Sequence, residues 1–147
     1  MGTVVLAGKM AAARAEIALL AEGPDAATEW AQRAIDMALP VGRRKYETAA
    51  RTTLGQALAA LGRLPDAVAE LENAVRDADR LGSPPGRWRT PAALGKALSA
   101  LGRDEQAERA FQGAAQVIRD VGGALSAERA ERFLRAPAIA EILNATR

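Results

Sequence analysis

The side chains able to do acid–base chemistry here are carboxylates and lysines, because the 147 residues contain no histidine and no cysteine. That absence removes thiol nucleophiles, histidine-based triads, disulfides and zinc sites built on Cys or His. Neighbouring carboxylates remain at Glu70 and Glu72, at Asp77 and Asp79, and at Asp104 and Glu105. A glycosidase-type pair needs both acids facing one substrate. Residues one or two apart on a helix point in different directions, so these pairs read as solvated faces and caps. No glycine-rich loop ends in Lys-Ser or Lys-Thr, so no phosphate cradle is expected. The expectation is a non-enzymatic protein with no cofactor and no metal site.

Two basic segments, Arg43-Arg44-Lys45 and Arg87-Trp88-Arg89, are the other candidates. Two readings stand for them. They take an anionic ligand or an acidic peptide, with Trp88 as an aromatic anchor. Or their cations are solvated and Trp88 packs on the preceding helix. With 20 Lys and Arg against 18 Asp and Glu, the charge is too even for a nucleic-acid footprint. No apolar run approaches the roughly 20 residues of a bilayer span. Val4-Val5-Leu6 is too short for a secretory segment, and Lys9 follows it. A cytoplasmic protein with neither nucleic-acid nor membrane partners is expected.

These residues must be positioned by helices. About a quarter of the chain is alanine and only 3% is aromatic, a composition that favours closely packed helices over sheets. Apolar spacings of three and four predict helices over about Thr3 to Glu22, Pro24 to Leu39, Arg44 to Leu61 and Pro65 to Leu81. Gly23, Gly62 and Gly102 stand where helices stop. The fifth helix has two competing starts, Ser83 before Pro84 and Thr90 before Pro91, so either a kink near Arg87 or a late start is expected. Asp104 is expected to cap a sixth helix that ends near Val121, before Gly122-Gly123. Ser126 caps a seventh, and Pro137 opens a short eighth.

The strongest signal is a repeat. Leu54-Gly55-Gln56-Ala57-Leu58-Ala59-Ala60-Leu61-Gly62-Arg63 returns as Leu94-Gly95-Lys96-Ala97-Leu98-Ser99-Ala100-Leu101-Gly102-Arg103, an offset of 40 residues. Ala67, Leu71 and Ala74 return as Ala107, Phe111 and Ala114. Ala27, Ala31 and Ala34 make a weaker first copy. Fixed periods of this length mark stacked helical hairpins. Small residues let the two helices of a hairpin approach, and bulky ones fill the groove beside them.

The pattern resembles the tetratricopeptide repeat. Leu54-Gly55 and Leu94-Gly95 match its large-small pair, and the small, bulky, small positions follow at Ala67, Leu71, Ala74 and at Ala107, Phe111, Ala114. The period of 40 exceeds the family's roughly 34 residues. Longer repeats of this kind look like the C-terminal arrays of large bacterial ATPase- and cyclase-type regulators. Ser83-Pro84-Pro85, Arg87-Trp88-Arg89 and Glu131-Arg132-Phe133-Leu134-Arg135-Ala136-Pro137 strengthen that likeness. None of the ATPase or cyclase parts is present.

The resemblance implies one all-α domain, a right-handed superhelical solenoid. Its hairpins would span about 3–40, 41–82 and 83–122, with a capping helical tail over 126–146. It implies a protein-interaction scaffold, or alternatively a regulatory module that senses a peptide or small ligand inside a larger signalling protein. By analogy the partner groove is lined by Ala13 and Ile17, by Thr52, Gln56 and Ala59, and by Ala92, Lys96 and Ser99, with the two basic segments on its rim. Of the positions some members use to clamp a terminal carboxylate, only Lys96 fits. The groove would otherwise admit an apolar helix, unless the final helices fold back over it. Solenoids need polar ends, yet the first helix offers Val4, Val5, Leu6, Ile17, Leu19 and Leu20. This end is expected to pair with a second copy or with further repeats.

Overall fold

The computed structural model describes the backbone of residues 2–41, 44–81 and 84–146, and the side chains of 7, 9–37, 46–78 and 87–146. The described chain is all-helical: α1 (Gly2–Ala21), α2 (Pro24–Val41), α3 (Arg44–Ala60), α4 (Leu64–Leu81), α5 (Pro84–Ala100), α6 (Asp104–Gly123), α7 (Ala127–Arg135) and α8 (Pro137–Asn144). None of these helices is long and apolar enough to cross a membrane.

The turns inside the hairpins follow from glycine. Gly23, Gly62 and Gly102 have φ of 107°, 81° and 80°, a region other residues rarely enter. After α3 the Arg63 N–H donates to the Leu58 carbonyl at 2.9 Å, and after α5 Arg103 repeats this bond on Leu98 at 2.9 Å. These bonds occupy carbonyls that the helix end leaves free, and they turn the chain sharply into the next helix. The two Leu-Gly-Arg turns are therefore one structure used twice.

Each helix from α1 to α6 packs on the next, α3 also touches α1 and α5, and α6 is covered by α7 and α8. Small residues make these approaches possible. A Cβ on Gly55 would overlap Leu71 and lie 2.7 Å from its Cδ2, and one on Gly95 would lie 2.9 Å from the Phe111 ring. The same glycine-against-bulk contact thus closes α3 on α4 and α5 on α6. One core cluster runs through all six helices, from Ala11, Ala12 and Ala15 through Leu54 and Leu71 to Leu98 and Ala107.

Three boundaries differ from the sequence expectation. α5 is a single helix with Pro91 inside it, with neither a late start nor a break at Thr90. An interior proline costs about 3 kcal/mol, and the flanking side chains offset that. Trp88, Arg89 and Thr90 all pack or bond to other helices, as described below. α6 runs through Gly122 to Gly123, where Phe133 and Leu134 of α7 lie over Gly122. Asp104 is the first residue of α6, not its cap; the cap position is Arg103, with no side-chain bond. Asp104 and Glu105 then act on the positive end of the helix through charge. Ser126 caps α7 as expected, accepting from the Arg129 N–H at 3.4 Å. Ser83 lies outside the described residues.

Candidate binding groove

Two adjoining depressions, each of about 280 Å³, lie between α3 and α5, one walled by α8 and the other by the first residue of α4. They share Gln56, Ala93 and Lys96. Ala92, Ala93 and Ala97 form a floor with short side chains. Trp88, Arg89, Ala138, Glu141 and Ile142 bound one end, and Ala59, Leu64 and Ala100 the other. α8 supplies a wall because Ile139 and Ile142 are buried against Ala92, Ala114 and Ile118. Its first residue, Pro137, suits a helix start, where no N–H is needed.

The cations of this groove are already engaged. Arg89 donates to Glu16 of α1 at 2.5 Å, and to Thr53 Oγ1 and Gln56 Oε1 of α3, both at 3.0 Å. One guanidinium therefore ties three helices together. Lys96 pairs with Glu141 of α8 at 2.9 Å. Beneath them the Thr52 hydroxyl donates to the Thr48 carbonyl and accepts from Thr90, each at 2.9 Å. That arrangement satisfies two polar groups that are 1% exposed between α3 and α5.

Of the residues expected to line a groove, Gln56, Ala59, Ala92 and Lys96 come together. Thr52 does not: it is buried in the α3–α5 contact, because its hydroxyl finds partners there. Ser99 is exposed outside the lining. Ala13 and Ile17 face a third, separate depression of about 520 Å³ on α1 and α2, which also takes in Met10, Trp30 and Met37. Arg14 and Arg33 stand over the Trp30 ring at 5.1 and 4.9 Å.

The basic segments also resolve differently. Arg89 is a connector of three helices and not a free rim cation. Trp88 packs edge-to-face on Phe133 of α7, with ring centres 5.4 Å apart. Arg87 is half-buried. Arg43 and the side chains of Arg44 and Lys45 lie outside the described residues. Sequence reasoning missed Glu16, Ala93 and Glu141. Glu16 and Arg89 stand 73 residues apart, and no local pattern links them.

Among the described residues no group of three His, Cys, Asp or Glu could hold a metal ion. The clearest charge cluster is Arg51 between Glu47 and Glu70, at 2.9 and 3.0 Å. Glu70 is thus paired, not merely solvated. Burial pushes the Arg51 pKa down, but the hydrogen bonds and charges of Glu47 and Glu70 outweigh it and leave a net rise. The guanidinium stays charged there and straps α3 to α4. Such a group suits structure and not proton transfer. No protein-family model matches the chain, and no curated protein matches it significantly.

Proposed function

We propose that the chain is a solenoid of tetratricopeptide-type hairpins that works as a protein-interaction scaffold. On this reading a segment of a partner protein lies in the groove between α3, α5 and α8. The observation that carries it is the groove itself: an alanine floor continuous across the depression, with Gln56, Arg89, Lys96 and Glu141 along its margins. A floor of small side chains lets a partner backbone approach closely, and the polar margin orients it. The succession of α1, α3 and α5 in contact, and the identical turns of the second and third hairpins, support the solenoid.

Selection of peptides from a displayed random library against the full chain tests this. Ala100 and Ala138 are exposed and border the two depressions, so Ala100→Trp and Ala138→Trp fill the groove without entering the core. Selected peptides should bind the double variant at least about tenfold more weakly, a loss of about 1.4 kcal/mol, with its melting temperature close to wild type. Peptides that bind both proteins equally would refute the groove.

A second observation favours self-association. Met10, Ile17 and Leu20 are 62%, 56% and 90% exposed beside the depression on α1 and α2. Contiguous apolar surface of this kind marks an interaction site, and we propose a second copy of the chain as its partner.

A further inference from the structure

Two cations face the groove from one helix, and each is neutralised by a carboxylate borrowed from a helix at an opposite end. Arg89 and Lys96 both lie on α5 and both line the same depression. Arg89 takes its carboxylate from Glu16 of α1, and Lys96 takes its own from Glu141 of α8. Arg89 is held more firmly than its carboxylate partner, whereas Lys96 and Glu141 are alike in exposure, 59% and 63%. Arg89 is also bonded to Thr53 and Gln56 and its side chain is 30% exposed. The Glu16 and Glu141 side chains remain 46% and 63% exposed and have no other protein partner among the described hydrogen bonds. An exposed carboxylate that leaves such a pair regains water at little cost. The guanidinium stays in place when it does, because α3 still holds it.

Arg89 and Lys96 are seven residues apart, about 10.5 Å along a helix axis at 1.5 Å per residue. Residues seven apart share a helix face. Between the two cations the lining is apolar, with Ala92 and Ala93 below and Trp88 and Ile142 beside them. Resting on the groove reading above, we propose that the partner segment is an amphipathic helix with two carboxylates two turns apart, which replace Glu16 on Arg89 and Glu141 on Lys96. Its apolar residues between the two acids lie on the alanine floor. A carboxylate arriving at Arg89 meets a cation already oriented by Thr53 and Gln56, so less freedom is lost on binding.

The test uses the full chain and two labelled synthetic helices of about 20 residues, long enough to exceed the roughly 12–15 residues below which isolated helices are marginal. Both carry the same leucine face; one has Glu at two positions seven apart and the other has Gln there. Fluorescence anisotropy is expected to show the Glu helix binding at least about tenfold more tightly at low salt, with the advantage shrinking as salt screens it. Lys96→Gln should remove part of that advantage. Glu16→Gln combined with Glu141→Gln should tighten the Glu helix several-fold and leave the Gln helix unchanged. Equal binding of both helices, weakened by Ala138→Trp, would overturn the acidic anchors and leave the groove standing. Binding of the Glu helix that neither Ala138→Trp nor Lys96→Gln alters would overturn the groove with them. Failure of both helices to bind would overturn the proposal.

Discussion

At the scale of single residues, two glycines decide how closely the hairpins shut. Glycine inside a helix ordinarily costs about 1 kcal/mol relative to alanine, so Gly→Ala in a helix should stabilise unless something occupies the space. At Gly55 and Gly95 something does: Leu71 and Phe111 fill the volume a Cβ would need. At Gly113 nothing lies within 4 Å. Gly55→Ala and Gly95→Ala should therefore each lose about 1–3 kcal/mol by overpacking, while Gly113→Ala gains about 0.5–1 kcal/mol. Thermal unfolding of the three variants checks this, since 1 kcal/mol moves the midpoint by about 2–4 °C in a chain of this size. A rise for all three would mean that α3 and α5 adjust freely and that closeness is not set by glycine. This contact was legible beforehand, because Gly55 and Leu71 return together as Gly95 and Phe111. Arg89 was not. Its partners lie on α1 and α3, and a bond between residues 73 apart leaves no trace in local spacing. Thr52 misled for a related reason, since a hydroxyl placed in the groove by family analogy is buried once Thr90 answers it.

At the scale of elements, helix stops written in glycine were read correctly where the backbone turns left-handed, and misread where packing intervenes. Gly62 and Gly102 end helices at positive φ. Gly122 lies inside α6 with Phe133 and Leu134 over it, and the helix ends one residue later, at Gly123. Pro91 fails to break α5 because Trp88, Arg89 and Thr90 hold the surrounding turn. The tail is lightly anchored. α7 buries no residue fully, and α8 is held by Ile139 and Ile142. Ile142→Ala should cost about 2–4 kcal/mol by leaving a cavity against Ala92 and Ile118. Loss should be local: hydrogen exchange should quicken in α7 and α8 while α3 and α4 keep their protection. Equal loss across α3 and α4 would instead make the tail part of one cooperative core.

At the scale of the whole molecule, the two ends of the helix stack are unlike. The far end is polar: α7 exposes Arg132 paired with Glu128 at 2.6 Å and Arg135 paired with Glu131 at 2.7 Å. The near end is apolar, with Met10, Ile17 and Leu20 of α1 exposed. Head-to-tail stacking would press apolar side chains on charged pairs and strip those charges of water. Pairing two near ends about a twofold axis buries like on like, and it closes after two copies. The copy proposed to cover α1 and α2 should therefore form a dimer and not a fibre. Light scattering on a size-exclusion column across a concentration range should give twice the chain mass. Ile17→Glu should return it to one chain mass, because the twofold axis buries two unpaired carboxylates in one apolar contact, at a cost of several kcal/mol. The variant should keep its helix content, since Ile17 supports no core residue while it is 56% exposed. A wild-type chain that remains a monomer at about 0.5 mM would bound any self-affinity near the millimolar level, about 4 kcal/mol, too weak for a built interface, and the second copy would be excluded.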